Sequence, residues 1–267
     1  MNPAVPQAQR LQRPPASVYE TDLARWRAQQ ELELSDANGW LAVVGLQWLK
    51  EGVQPLAAPV ESLGSLKRTG DRVEWLAADG APGRVLRPDN QPPKDLVSLG
   101  TIQLQLLRRG KRLGIRIWDA QSDALKRFRG RQWYPADPKL RVPAQFHPYP
   151  KGRTLTIVNV LGDTEKVPCP GWVEFRIGRT RCRMDAWQTK NGLFFVFADR
   201  TNGKGTYSAG RFLEADEPTA GVVSLDFNRA VSPPCAFTDF ATCPLPPRCN
   251  RLPVAIPAGE RYRGHHG

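Results

Sequence analysis

The chain is poor in histidine, with three in 267 residues, at positions 147, 265 and 266. Nucleophilic catalysis by serine or cysteine needs an imidazole base within reach. Only His147 lies clear of the ragged carboxy-terminal residues, so a triad or a Cys-His pair is disfavoured. Long apolar runs are also missing. No stretch approaches a membrane span, and Met1 to Pro15 lacks the apolar core of a secretory signal, so a cytoplasmic protein without membrane contact is expected. The five cysteines, at 169, 182, 235, 243 and 249, contain no C-x-x-C pair. The last three are spaced by eight and six (243 − 235 and 249 − 243), unlike common zinc sites. An odd number in a reducing compartment also argues against a disulfide framework. No metal is expected. The stretch Asn202-Gly-Lys-Gly-Thr206 has neither the spacing nor the strand–loop–helix setting of a nucleotide-binding phosphate loop. It leaves room only for a weak backbone anion nest. No internal repeat is visible, and no cofactor is expected.

What the chain does have is charge and punctuation. The formal net charge is +12. The densest basic cluster, Arg108-Arg-Gly-Lys-Arg112, falls where a hairpin turn belongs, and no helical or aromatic recognition motif accompanies it, so nucleic acid is an unlikely partner. Twenty-five prolines and 23 glycines break the chain into short apolar runs, which favours strands and turns over a helical bundle.

Residues 1–16 have no periodicity and are expected to be a flexible tail, as are residues 263–267. Ser17 and Glu20 form a capping box, and Tyr19, Leu23 and Trp26 follow at helical spacing. This predicts an amino-terminal helix over 17–36. Residues 37–262 read as a β-rich domain, with two subdomains meeting near 119–140 as one option. The run Trp40 to Leu49 is apolar throughout, so it is either a buried strand or a short helix. Ile102, Leu104 and Leu106 alternate with glutamines, and Leu113, Ile115 and Ile117 supply the pairing strand, with Arg116 and Trp118 on its other face. Residues 119–153 look irregular. Val173, Phe175 and Ile177, then Cys182, Met184 and Ala186, trace a meander, and Asn191-Gly192 turns the chain into a solidly apolar strand, Leu193 to Ala198. The fold class that follows is β-dominated: an antiparallel barrel or sandwich carrying one amino-terminal α-helix.

Polar side chains gather at the ends of these carboxy-terminal strands. Asp199 ends the buried strand, Asp226 and Asn228 share one face, and Arg211 could pair with either acid. Asn250 and Glu260 follow a proline-rich strap, Thr242-Cys-Pro-Leu-Pro-Pro247, in which three prolines forbid a central strand. Leu245 and Leu252 are expected to plug the strap into the core. These six polar residues are the ligand-binding candidates. Arg116, Asp119, Tyr134, Tyr207 and Cys235 are secondary ones. Plain structural roles compete at each position: a turn cap at Asp199, an ion pair at Arg211, solvent at Asp226.

The strings Phe197-Ala-Asp199, Gly210-Arg211, Leu225-Asp-Phe-Asn228, Pro234-Cys-Ala236, Cys243-Pro-Leu-Pro-Pro247, Asn250-Arg-Leu252 and Ala258-Gly-Glu260 resemble the bacterial and archaeal domain of unknown function 1684 family. Gly39-Trp-Leu41, Trp48 to Gly52, Arg116, Asp119 and Tyr134-Pro135 fit the same family, so the likeness covers residues 20–262. It implies no activity. The amino half faintly resembles forkhead-associated phosphopeptide-binding modules. Its Glu51 to Leu56 stretch lacks the Gly-Arg and Ser-x-x-His elements that would hold a phosphate.

Two functions remain open on this reading. One is a small-molecule or anion-binding protein, or an enzyme, with a pocket of carboxylates, arginine and asparagine in the carboxy-terminal half. The other is an interaction module docking acidic or phosphorylated partners through its basic β surface. The oligomeric state is left open.

Overall fold

The computed structural model describes residues 17–93, 95–262 and 264. Apart from Gly264, the two expected tails lie outside them. Helix α1 spans Val18–Ser35 and opens with the anticipated capping box: Ser17 Oγ accepts from the Glu20 amide, and the Glu20 carboxylate accepts from the Ser17 amide. Leu23 and Leu34 are buried under it. A 3-10 turn, Trp40–Ala42, runs directly into β1, Val43–Trp48. The ambiguous apolar run is thus helical at its start and extended afterwards.

The amino half continues with β2 (Gly52–Pro55), β3 (Gly64–Thr69), β4 (Arg72–Ala77), β5 (Arg84–Leu86), β6 (Val97–Leu99), β7 (Ile102–Arg109) and β8 (Arg112–Asp119). They form two antiparallel sheets, ordered β1-β8-β7-β6 and β2-β3-β4-β5. Leu104, Leu106, Leu113, Ile115 and Ile117 from the first meet Leu66 and Val73 from the second in one core. Trp118 packs on the other face of β8 with Ala42 and Val43, as the alternation predicts.

The stretch expected to be irregular is more ordered than its sequence suggests. It holds a five-residue helix, α2 (Asp123–Arg127), then β9 (Gln132–Trp133) and β10 (Arg141–Pro148). β10 is internal to its sheet despite Pro143. The reason lies in the register: Pro143 pairs with Ser224 on one side, whereas the strand on the other side joins only from Gln145 onward. The missing amide of Pro143 therefore breaks no ladder.

The remaining strands are β11 (Thr154–Val158), β12 (Thr164–Pro168), β13 (Gly171–Ile177), β14 (Thr180–Asp185), β15 (Trp187–Thr189), β16 (Gly192–Phe197), β17 (Arg211–Ala215), β18 (Val222–Asp226) and β19 (Glu260–Arg261). Sheet β14-β13-β10-β18 packs on sheet β15-β16-β17, with Val173, Phe175 and Met184 facing Phe195, Phe197 and Leu213. β16 is apolar throughout because both its faces are covered. Phe195 and Phe197 enter this core, while Val196 and Phe194 pack on the opposite face with Trp187 and Ile157. Each such buried side chain stabilises the fold by about 1.5–3 kcal/mol. All strand pairs within the sheets are antiparallel, and among the described residues no sheet closes into a barrel.

The proline strap behaves differently from expectation at one residue. Leu252 is buried in the carboxy-terminal core, but Leu245 is only half-buried. The strap is anchored by backbone instead: the Leu245 amide donates to Val158 O at 2.8 Å and the Val160 amide to Cys243 O at 2.9 Å. Pro246 seals it against Gly210, whose φ of +117° and lack of a Cβ permit the contact.

Candidate functional site

Arg211 and Asp199 form an ion pair with both side chains fully out of water. The guanidinium also donates to Ala258 O at 2.5 Å and to Ile256 O at 3.0 Å. Asp199 in turn accepts from the Thr201 amide at 2.8 Å, the Thr201 hydroxyl at 2.7 Å and the Ile256 amide at 3.2 Å. The pair staples residues 256–258 to the end of β16. Burial lowers the pKa of Arg211, and Asp199 opposes that shift. This is a structural clamp, closed to solvent.

Both asparagines imitate backbone. Asn228 Oδ1 accepts from the Asp137 amide and its Nδ2 donates to Asp137 O, each at 2.9 Å. Asn250 accepts from the Asp185 amide at 2.7 Å and donates to Asp185 O at 3.0 Å and Val196 O at 2.9 Å. A primary amide offers one acceptor and two donors, so it can satisfy strand-end groups that no neighbouring strand reaches.

The remaining two candidates lead to an open site. Asp226 lines a cleft of about 1040 Å³ between α1, the strands β16, β17 and β18, and the segment that follows β18. Its carboxylate accepts from the Tyr19 hydroxyl at 3.0 Å and from the Asn228 amide at 3.1 Å, and lies 3.5 Å from Arg229 Nε. Burial and the negative Asp226 push the Tyr19 phenol up to about 12. Glu260 does not line the cleft itself. It accepts from the Ser232 amide at 2.7 Å and from Arg131 Nη1 at 2.5 Å, and Arg131 and Ser232 both form cleft wall. Burial raises the Glu260 pKa, with Arg131 and Ser232 pulling it back down. Gly259, at φ +75°, lets this segment lie directly on the Phe227 and Ala230 carbonyls, where any Cβ would collide.

Arg131 carries the polarity of the deep end. Its side chain is 7% exposed, and its Nε is buried with no acceptor among the described residues. Its guanidinium lies 4.9 Å from the Phe237 ring centre. Trp26, Trp40 and Phe237 supply aromatic wall, and Arg229 stacks 5.6 Å from the Trp26 ring. At the rim stand exposed acids, Asp22, Glu33, Glu214 and Asp216, together with Arg141. Three arginines against five carboxylates line the cleft, so its own charge is negative within a basic protein.

None of the secondary candidates lines the cleft. Asp119 accepts from the Gln121 amide at 2.9 Å and caps a turn. The Tyr134 ring lies under Arg261. Tyr207 donates to Cys235 O at 2.8 Å, and Arg116 packs against Trp40 and Trp118. Arg131, Arg229 and Ser232 escaped the sequence reading. Tyr19 and Trp26 were visible only as a helix stripe. The basic turn is largely neutralised: Arg108 pairs with Asp71, Arg109 with Asp89 and Arg112 with Asp163, at 3.1, 2.8 and 3.1 Å. Among the described residues no group of three or more His, Cys, Asp or Glu could hold a metal ion.

A family model described as a protein of unknown function, DUF1684, matches residues 126–261, just over half of the chain. The chain belongs to this family. The DUF1684 match contains Arg131, Asp226, Ser232 and Glu260, and leaves α1 and both amino-terminal sheets outside it. The chain is also similar to an uncharacterized protein of Haloarcula marismortui solved in solution by NMR. That protein is 29% identical, the match covers 51% of this chain and 78% of that one, and the TM-score is 0.43. No curated protein matches.

Proposed function

We propose that this DUF1684 protein binds a small organic molecule in the cleft between α1 and the carboxy-terminal sheets. The observation that carries this reading is Arg131: a nearly buried guanidinium on the cleft wall, fixed by Glu260 on one side and left with an unpartnered Nε. Such a group costs stability unless something accepts from it. A volume of about 1040 Å³ is at the upper end of ordinary ligand sites, and aromatic walls with a few fixed polar groups are their usual lining. The acidic rim argues against a simple anion. A neutral or zwitterionic ligand fits better, its acceptor group toward Arg131 and any positive charge toward Glu33, Glu214 and Asp216. Docking of acidic or phosphorylated partners on the basic turn has less support, because three of its arginines already hold carboxylates.

The test is a thermal-shift screen with amino acids, nucleosides and aromatic acids sorted by charge, followed by calorimetry on each hit. A hit that binds wild type and loses at least about tenfold affinity in Arg131→Met, about 1.4 kcal/mol, supports the reading. Hits that bind Arg131→Met and Trp26→Ala as tightly as wild type would sink it.

A further inference from the structure

We propose that Cys235 and Cys243 form a redox-active dithiol that closes to a disulfide by exchange with a low-molecular-weight disulfide, Cys235 being the attacking thiol. The pair lies outside the cleft lining and does not depend on a ligand there.

Geometry comes first. Both cysteines are free, Cys235 half-buried and Cys243 buried. The Cys235 amide donates to Cys243 Sγ at 3.2 Å, which brings that sulfur within a side chain's length of Cys235 Sγ. The other side of Cys235 is fixed as well, because its carbonyl accepts from the Tyr207 hydroxyl at 2.8 Å. Cys235 sits in the 3-10 turn Pro234–Ala236, behind Pro233, and Cys243 is held by its carbonyl to the Val160 amide. Two thiols pinned this way meet the requirement that bridging needs little backbone movement.

Electrostatics set the roles. Arg116 is 6% exposed, and its Nε and Nη2 are buried without an acceptor among the described residues. It lies 4.5 Å from the Trp40 ring and 5.7 Å from Trp118, and burial lowers its pKa to about 10. The nearby carboxylate of Asp89 is already engaged by Arg109. Cys243 is the other group whose negative charge Arg116 would favour. A buried cation short of a counterion favours an anionic sulfur nearby. Within the pair, the Cys243 thiol donates toward Cys235 and lowers the Cys235 pKa, while that donation and burial raise the pKa of Cys243. Tyr207 and Tyr262 are the other titratable groups near Cys235. The more exposed, more acidic sulfur is therefore the nucleophile, and the buried one resolves.

The exchange balances in two steps. Cys235 gives its proton to solvent and its thiolate attacks one sulfur of the small disulfide, forming a mixed disulfide and expelling one thiolate, which is reprotonated. Cys243 then loses its proton and attacks Cys235 Sγ, expelling the second thiolate, which is reprotonated in turn. Two protein thiols are oxidised to one disulfide, and one small disulfide is reduced to two thiols.

The experiment equilibrates the folded full chain in oxidised and reduced glutathione buffers, quenches with iodoacetamide and maps the peptides by mass. A Cys235–Cys243 disulfide appearing as a unit, with no persistent wild-type glutathione adduct, is expected. Cys243→Ser should accumulate a glutathione adduct on Cys235, whereas Cys235→Ser should leave Cys243 unmodified. At neutral pH, the glutathione adduct on Cys235 should be resolved at least about threefold more slowly in Arg116→Met than in Arg116→Lys, which retains the cation that favours the Cys243 thiolate. The proposal is overturned if both thiols of folded wild type stay fully alkylatable at the most oxidising ratio, or if the disulfide forms between other cysteines. The wild-type measurement decides this even where a variant fails to fold.

Discussion

The Tyr19 hydroxyl donates to the Asp226 carboxylate at 3.0 Å, across 207 positions of sequence. This bond ties the first described helix to the end of β18 and forms part of the cleft wall.

Tyr19→Phe removes that donor and leaves Asp226 with the Asn228 amide and Arg229. A hydrogen bond to a charged group is worth about 1.5–3 kcal/mol, and partial exposure places this one at the low end. Urea denaturation should show a loss of about 1–2 kcal/mol. No measurable change would mean that α1 is held by its other contacts: its buried leucines, Trp26 against Trp133 and Arg27 to Tyr134 O.

The same phenol makes stability depend on pH. Its folded-state pKa, about 12, lies above the usual 10, so its contribution is complete below pH 10. It is lost as the pH rises from 10 toward 12. The difference in melting temperature between wild type and Tyr19→Phe should therefore shrink across that window. A difference that stays constant from pH 9 to 12 would contradict the linkage.

Asp199→Ala leaves Arg211 buried without its carboxylate. Breaking a buried pair from one side typically costs about 3–5 kcal/mol. Chemical denaturation should report a loss in that range, and limited proteolysis should cut first near residues 254–258, which the pair holds down. A loss under about 1 kcal/mol would show that the Ala258 and Ile256 carbonyls suffice to hold the guanidinium.

Leu252→Ala should destabilise by about 2–4 kcal/mol because Leu252 is buried in the carboxy-terminal core. Leu245→Ala should cost about 1 kcal/mol or less, since Leu245 is half-buried and its segment is held by backbone bonds. Equal losses from the two variants would overturn this account of the strap.

Asn250→Ala strands the Asp185 amide and two carbonyls in a region closed to water. Unsatisfied buried groups cost about 1–3 kcal/mol each, partly offset by relaxation, so a loss of about 2–4 kcal/mol is expected in urea. Asn250→Asp should be comparably harmful, because it replaces two donors with acceptors facing carbonyls. If Asn250→Asp matched wild type, the assigned bonds would be wrong.

The helix, the paired strands and the core faces were legible because each rests on local periodicity. Ser17 and Glu20 announce the helix start, and Phe195 and Phe197 announce a strand covered on both sides. β10 was hidden because Pro143 and Pro148 mimic a loop, and only register shows that Pro143 breaks no ladder. The polar residues were found, and with them the Asp199–Arg211 pair and the turn cap at Asp199 as alternatives, but the backbone groups that Arg211, Asn228 and Asn250 hold were not. Asp199, Arg211, Asn228 and Asn250 bind backbone or each other, so polarity at a strand end identified the fold's own fastenings as readily as a ligand's. Arg131 carries no pattern at all: it stands just before the two-residue strand β9, and the carboxylate it holds, Glu260, lies 129 positions away.

The cleft takes its two sides from different stretches of chain. Arg131, Asp226 and Ser232 fall within the segment shared with DUF1684 relatives, while Tyr19, Trp26 and Glu33 stand on a helix that precedes it. One wall of the cleft therefore comes from the family-matched segment and the opposite wall from a helix outside it. Substitutions on the exposed face of α1 would then reshape one wall of the cleft and leave the Arg131–Glu260 pair on the other wall in place.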